Sequence, residues 1–496
     1  MKNENLIDNL VIGGGPAGLT AAYTILKDTN LGKVELIESN QVYLGGISRT
    51  ENKGDFRFDI GGHRFFSKSS QINKLWDEIL PNGFIERKRK SRILFRKKFF
   101  NYPISAAEAL IKLGFFESVL CVLSFIKAKI FPIKKPLSFH DWVANNFGER
   151  LYLNFFKTYT EKVWGMSCDE ISADWAAQRI KGLDLIKLVL DSMNFKKSKG
   201  DSIKTLIKTF KYPKYGPGMM WEEAGKKIEK MNGKISMGII AKEFHYIKDE
   251  KKWNVVCKDI NSNKEKIYVA NKVICSAALR DVVENIYPPM SAKKEASKLN
   301  YRDFITVAVM LKKEPNFDDN WIYIHDKNIN AGRMQNYTSW SNYMAPRNSG
   351  CVGLEYFCNK NDNFWNKSNE QLKKIAFEDL NNLGIFQENE ILDAFVIRQE
   401  KAYPVYDKEY KDVITKISKE LNLNYKNFYL VGRNGMHKYN NQDHAMMSSV
   451  LTVENIKLNK NKNNIWNINV DAEYLEEGEN DKKNAMQSLR NTPEKI

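Results

Sequence analysis

The pattern of apolar and polar positions divides the chain into three kinds of stretch. Near the amino terminus a short apolar run, Leu10-Val-Ile12, enters Gly13-Gly-Gly-Pro-Ala-Gly18, and Leu19 to Tyr23 follow at a composition suited to a helix. A second apolar run, Val34-Glu-Leu-Ile-Glu38, predicts a strand. From residue 70 to 212 the pattern lengthens into helical segments rich in aromatics, and Leu110 to Ile126 is the most apolar of them. Lys112 and Glu117 interrupt that piece, leaving it short of the roughly twenty apolar residues a bilayer span needs. It reads as a core or dimer-face helix; a monotopic membrane contact is the alternative and is not expected. Ser138 and Asp141 stand at capping-box spacing and open a helix with Phe139, Trp142, Val143 and Phe147 as core positions.

Beyond Tyr212 the pattern turns to strands. Ile235 to Val256 and Lys266 to Ala278 alternate or run apolar, and Val273 to Ala277 is placed to rejoin the first two strands. Phe304 to Leu311, Trp321 to Ile324 and Cys351 to Phe357 predict a second sheet. Phe428 to Gly432 reads as a buried strand and Asp443 to Ile456 as a helix, which together would close a domain begun at the amino terminus. The expected architecture is α/β: a Rossmann-like cofactor domain discontinuous in sequence (1–70, 213–295 and 411–470), a mainly helical domain (71–212) with a basic hairpin near 87–100, a mainly antiparallel β-sheet substrate domain (296–410) and a charged tail (471–496).

Composition adds limits. A chain of 496 residues holds two or three lobes, and its 43% apolar content belongs to a folded protein. A formal net charge of +17 suits an anionic partner, a membrane surface or simply a solvated lysine-rich exterior. Nucleic acid is not expected, because no nucleic-acid-binding fold signature accompanies the charge. The densest basic run, Arg87 to Lys98, has the form of a hairpin with Lys97 and Lys98 near its turn. The six cysteines form no CxxC pair, so they read as buried thiols of a cytoplasmic protein, with no metal centre. The start, Lys2-Asn-Glu4, is too polar for a targeting segment.

The glycines carry the first chemistry. Gly13 permits a tight turn, Gly15 lets backbone approach a pyrophosphate, and Gly18 lets helix and strand pack closely, with Pro16 and Ala17 completing the turn. Glu38 stands about twenty residues on, where a ribose hydroxyl needs an acceptor. Two further clusters, Gly45-Gly46 with Ser48 and Gly61-Gly62 beside His63, suggest backbone moulded around an extended ligand, which favours FAD over NAD. His63 is either a structural histidine or one that reaches the cofactor ring. The loop Tyr212 to Trp221, with Gly218 and Met219, leads from a glycine-proline turn into a helix.

Together these motifs resemble the flavoprotein group that contains UDP-galactopyranose mutase, especially its longer, eukaryotic-type members, within the amine oxidase and protoporphyrinogen oxidase superfamily. Phe58-Asp-Ile-Gly-Gly-His63 resembles the loop whose histidine lies near the flavin, and Lys162-Val-Trp164 with Gln178-Arg179 resembles the helical motif that approaches the sugar. Gly432-Arg-Asn-Gly-Met-His-Lys-Tyr-Asn-Asn-Gln-Asp-His444 matches along its whole length. Tyr102-Pro103 matches too, but Ile104-Ser-Ala-Ala107 departs from the family's Phe-Gln-Asn-Asn, which leaves the base and sugar open.

The resemblance implies a GR2-type FAD domain, with Gly432, Asn441, Gln442 and Asp443 among the cofactor contacts. It implies catalytic roles for His63, Arg179 and Arg333, and substrate contacts from Tyr102, Trp164, Tyr323, Tyr403, Arg433 and Tyr439. The implied reaction is pyranose/furanose interconversion of a UDP-galactose-like nucleotide-diphosphate sugar, with N5 of reduced FAD as nucleophile at the anomeric carbon and no net redox. NAD(P)H is a candidate external reductant, and a homo-oligomer fits the family. The alternative within the same fold is an FAD-dependent oxidoreductase acting on an amine, a polyene chain or a porphyrinogen. A nicotinamide dehydrogenase would use the first motif alone.

Overall fold

The computed structural model describes residues 6–102, 106–173, 175–176 and 209–468. At its centre the strand Leu6–Ile12 pairs in parallel with Val34–Glu38 on one side and Glu265–Cys275 on the other. Lys234–Met237 extends the sheet beyond Val34–Glu38. Glu265–Cys275 serves two partners along its length: its first half pairs antiparallel with Lys252–Asp259, and its last residues pair in parallel with Phe428–Leu430. The register Leu10 to Val273 to Phe428 therefore joins three stretches that lie far apart in sequence into one sheet, as the return of an apolar strand late in the chain predicts.

Helices Pro16–Leu26 and Gln442–Leu458 pack on one face of this sheet, where Ser449 Oγ donates to the Ala17 carbonyl at 2.7 Å. Most of Gln442–Leu458 is buried, from Gln442 through Ile456. A helix covered all round needs no polar stripe, so its sequence shows little amphipathic pattern.

The second sheet has seven strands in the order Ile391–Pro404, Tyr301–Leu311, Gly350–Cys358, Arg333–Asn336, Trp321–Ile324, Ser91–Phe95 and Lys98–Asn101. Successive side chains point to opposite faces. Ile305, Val307, Ile322 and Leu354 pack with Leu372, Ala376 and Leu380 of helix Asn369–Leu383, while Phe304, Trp321 and Tyr323 belong to the opposite side. That opposite side packs with Phe58, Ile60 and Tyr212.

Two elements depart from expectation. The basic hairpin, Ser91–Phe95 and Lys98–Asn101, is not part of the helical region but the edge of this second sheet: Ser91–Phe95 pairs in parallel with Trp321–Ile324, and Lys98–Asn101 pairs antiparallel with Ser91–Phe95. Its turn residues Arg96 and Lys97 have φ of 51° and 59°, and the Asp326 carboxylate accepts both their backbone N–H groups. Local pattern announces a hairpin but not a partner strand more than two hundred residues away. The apolar helix Phe115–Ile130 is likewise not a core element: Phe116 is 84% and Leu123 58% exposed. The six cysteines are buried free thiols, as their spacing suggests.

Candidate active site

The first wall of the site is backbone. Gly13 has φ of +101°, and a Cβ there would fall 2.2 Å from Ser276 Oγ. A Cβ on Gly18 would fall 1.8 Å from the Gly13 carbonyl oxygen, so close helix-to-strand packing demands glycine at that position. Gly15 and Gly46 face one another across the turn, a Cβ on Gly15 reaching 3.8 Å from Gly46 Cα. The Gly45 N–H donates to the Gly14 carbonyl at 2.8 Å and ties the second cluster to the first. Pro16 is the first residue of its helix, and Ala17 packs directly under Gly432. Glu38 closes the second strand beside this turn: one carboxylate oxygen accepts the Gly14 N–H, and the other accepts from the Asn40 N–H at 2.7 Å. The result is a corridor of main chain at the positive end of a helix, a setting for phosphate.

The third cluster turns this corridor toward the second sheet. Gly61 has φ of +87°, and a Cβ placed there would stand 3.8 Å from an Arg333 nitrogen, 3.9 Å from a Glu355 oxygen and 4.0 Å from His63 Nε2. Gly62 packs against Gln335 and Trp340 in the same way, a Cβ meeting both at 3.2 Å. His63 Nε2 lies 2.8 Å from the Ile60 carbonyl, which can only accept, so Nε2 carries the proton and Nδ1 is left for Ser48 Oγ at 3.4 Å. Burial, reinforced by the cations Arg433 and Arg333, pushes the imidazole down to about 4, so it is neutral at neutral pH.

Beneath this cluster Asp59 fastens three segments. It accepts from Thr50 Oγ1 at 2.9 Å and from the Tyr212 hydroxyl, and its main-chain carbonyl accepts from the Tyr337 hydroxyl at 2.6 Å. Burial pushes its carboxyl up to about 7. Thr50 also accepts the Gly218 N–H at 3.0 Å, so the loop carrying Gly218 and Met219 is held beside Gly61 through one carboxyl group. Sequence reasoning passed over Asp59, although it sits inside the quoted Phe58-to-His63 motif.

The second wall is made of side chains, and strand register assembles it. Tyr323 stands opposite Arg333, and Arg333 opposite Glu355, on three adjacent strands. Arg333 Nε donates to Glu355, whose other oxygen accepts from Gln335 Nε2 at 2.8 Å. Glu355 is 0% exposed. Burial opposes the charge on Arg333, but Glu355, with Tyr403, Tyr159 and Tyr323 around it, outweighs burial and carries the guanidinium above its ordinary value. Tyr323 meets Tyr102 at 5.1 Å and Tyr159 at 5.4 Å between ring centroids. Burial raises the Tyr159 and Tyr403 hydroxyls, which therefore stay protonated donors.

Arg433 closes the arrangement from the cofactor side. Its guanidinium lies over the rings of Tyr403 and Tyr439, 5.4 and 5.0 Å from their centroids. It donates to the Asn440 and Ala402 carbonyls at 2.9 and 3.1 Å. Tyr403 and Tyr439 stack at 5.3 Å, and Trp164 follows at 6.3 Å from Tyr439. Two buried cations clamp the helix bearing Trp164 onto the second sheet. Lys162 Nζ donates to the carbonyls of Ile324, Asp326, Ile329 and Ala331, and Arg302 Nε donates to Val163 O. The turn before that helix is a six-residue π-helix, Tyr152–Lys157, a form often found near functional sites.

Helix Gln442–Leu458 starts next to this region. Asn441 is its N-cap, Asp443 is buried, and Gln442 Nε2 donates to the Arg64 carbonyl at 3.0 Å. Gln442 Oε1 is buried with no partner among the described residues, an orphaned acceptor at a helix N-terminus. That orphan, the facing backbones of Gly15 and Gly46 and the cradle at Gly61 fit an extended dinucleotide such as FAD.

The structure thus joins His63, Arg333, Tyr323, Tyr403, Arg433, Tyr439, Trp164 and Tyr102 in one network of contacts. Arg179 lies outside the described residues. Glu355, Tyr159 and Asp59 were not anticipated. Their signals were present: an acid inside an otherwise apolar strand, a tyrosine one turn before Lys162-Val-Trp164, and an acid between a strand and a glycine pair.

Residues 11–79 match the NAD(P)-binding Rossmann-like domain family. Among solved structures, a reduced UDP-galactopyranose mutase superposes with a TM-score of 0.79 at 20% identity, covering 92% of this chain and 96% of that one. A protein of Exiguobacterium sp. 255-15 described as a protoporphyrinogen oxidase gives 0.70 at 15% identity, covering 92% and 99%. A redesigned putrescine oxidase gives 0.60 at 14%, covering 92% and 99%. The chain has the α/β fold these enzymes share, a Rossmann-like domain joined to a second sheet, and it resembles UDP-galactopyranose mutase over nearly its whole length.

Proposed function

We propose that the chain is an FAD-dependent mutase that interconverts the pyranose and furanose forms of a nucleotide-diphosphate sugar. The observation that carries this reading is the pairing of Arg333 and Arg433, two oriented guanidinium groups flanked by tyrosines, beside the glycine cradle at Gly61. A planar donor fork matches phosphate oxygens, and a buried cation facing a cleft is best used by an anionic ligand.

Gly13 to Gly18, Glu38, Gly45 and Gly46 would hold the dinucleotide, with Gly61, Gly62, Met219, Gly432 and Asn441 to Asp443 around its reactive end. When bound and reduced, FAD supplies the nucleophile for the anomeric carbon. The chain's own residues bind and orient. Arg333 and Arg433 carry the diphosphate as it leaves and returns, and the neutral hydroxyls of Tyr403, Tyr439 and Tyr323 donate to its oxygens. Glu355 keeps Arg333 aimed, and among the described residues Arg433 has no carboxylate partner of its own. Neutral His63 presents no competing positive charge and braces the Gly61 turn through Ile60. Arg179 belongs to the same proposal as a sugar contact.

The test is product analysis. Purified protein reduced with dithionite and given UDP-galactopyranose is expected to form the furanose, and the oxidised protein is not. Turnover of an amine or a porphyrinogen by the oxidised protein, with no furanose from any nucleotide sugar, would assign the cleft to an oxidoreductase instead.

A further inference from the structure

Helix Phe115–Ile130 is built inside out. Its polar side faces the protein: Glu117 accepts from Arg150 at 2.6 and 2.8 Å and from Asn154 at 2.7 Å, and Ser124 Oγ accepts the Arg150 N–H at 3.0 Å. Cys121, on the same side, is 1% exposed. The Arg150 partner holds the Glu117 carboxyl down to about 2, so this anchor is an ion pair. The opposite side, Phe115, Val119, Leu123, Ile126 and Ile130 at helical spacing together with Phe116, faces solvent. An ordinary surface helix does the reverse, and a contiguous exposed apolar face marks an interaction surface.

Cations bracket this face. The hairpin tip Arg96-Lys97-Lys98 lies at one end, where Lys98 Nζ donates to the Lys112 carbonyl at 2.8 Å. Lys127, Lys129, Lys134 and Lys135 are exposed at the other. Residues 96 to 137 carry eight Lys and Arg against two acids. Both acids, Glu108 and Glu117, are already paired with Lys112 and Arg150.

We infer that this face seats the protein on an anionic lipid bilayer, the apolar side chains entering the head-group boundary and the lysines meeting lipid phosphates. A second copy of the chain is the poorer occupant. A two-fold contact would lay the same lysine-bracketed surface against itself, whereas anionic lipid complements it. The helix lies flat: sixteen residues reach about 24 Å, and no helix among the described residues is long and apolar enough to cross a membrane. The inference stands apart from the proposed reaction.

Cosedimentation of the full chain with vesicles tests it. Binding is expected to vesicles of phosphatidylcholine and phosphatidylglycerol in equal parts, to fall away as salt is raised, and to be weak on phosphatidylcholine alone. The double variants F116E/L123E and K134E/K135E should each lower binding to the mixed vesicles about tenfold or more. All four positions are exposed, so the thermal unfolding midpoint should not move. The inference is overturned if the wild-type chain does not bind the mixed vesicles, or if F116E/L123E binds as well as wild type. It is also overturned if sedimentation without lipid shows a dimer that F116E/L123E splits.

Discussion

The two walls of the cleft are made of different materials. The first wall is main chain, with glycines such as Gly13 and Gly18 where no side chain fits; some of its close approaches are local, as Gly13 with Gly18, and others bring in distant segments, as Gly13 with Ser276 and Gly432 with Ala17. The second wall is side chain, set in a row by strand register: Tyr323, Arg333 and Glu355 come together only because three strands align. The first wall tolerates no added atom at Gly13 or Gly18, and the second tolerates no lost charge. Mutations should therefore fail in opposite ways on the two sides.

The largest effect is expected on the first wall. Gly18→Val would place Cβ 1.8 Å from a main-chain oxygen that cannot move aside, at a cost of about 3 kcal/mol or more. Flavin content after purification and the unfolding midpoint should both fall. Full flavin and an unchanged midpoint would show that the helix does not pack as described.

Arg333→Ala should do less to the first wall and more to the ligand. Loss of one charge-assisted contact, worth about 1.5–3 kcal/mol, should weaken UDP binding roughly ten- to a hundredfold with flavin retained. It also strands Glu355, which is 0% exposed, so the companion Arg333→Ala/Glu355→Gln should recover stability without recovering affinity. If the double variant regains UDP binding, Arg333 is a structural partner of Glu355 and not a phosphate ligand.

In their response to acid the two walls agree. Burial pushes His325, stacked on Tyr159 behind the second wall, down to about 3, and His437, beside the Gly432 turn, down to about 4. Both folded values lie below the unfolded value near 6.5, so the unfolded chain binds more protons between them. Their contribution is complete above pH 6.5 and is lost as pH falls toward 4. Denaturant unfolding at pH 7 and pH 4.5 should show a loss on the order of 2 kcal/mol or more. Replacing His437 with Asn should remove part of that slope, and an unaltered slope would mean His437 does not titrate on unfolding.

The smallest effect concerns the joint between the walls. Tyr212→Phe removes the hydroxyl that donates to Asp59 and should cost about 1 kcal/mol, leaving UDP affinity unchanged. A tenfold loss of affinity would place Asp59 and its loop closer to the ligand than described.

The same contrast explains what could be read from the chain. Glycine clusters, a returning strand at Phe428 and an acid at Glu38 are local patterns, and each foretells its place in the fold because a main-chain turn needs particular residue types at particular spacings. The second sheet was legible as strands, and the resemblance marked Tyr323, Arg333 and Tyr403 in it, but nothing near Arg333 in sequence announces Glu355 or Tyr159 as its neighbours. The basic hairpin was legible as a hairpin, yet its pairing with Trp321–Ile324 depends on the whole sheet. Helix Phe115–Ile130 was legible as apolar. Hydropathy reports how much a segment avoids water, not whether the protein itself supplies the cover, and here Glu117 and Ser124 turn inward instead.

Calorimetric titration of the full chain with uridine, UMP, UDP and UDP-galactose addresses the central claim, that the cleft is built around a diphosphate. Affinity should rise steeply from uridine to UDP, change little with the sugar, and drop with Arg333→Ala and Arg433→Ala. Equal affinity for uridine and UDP, or UDP binding indifferent to both arginines, would contradict it.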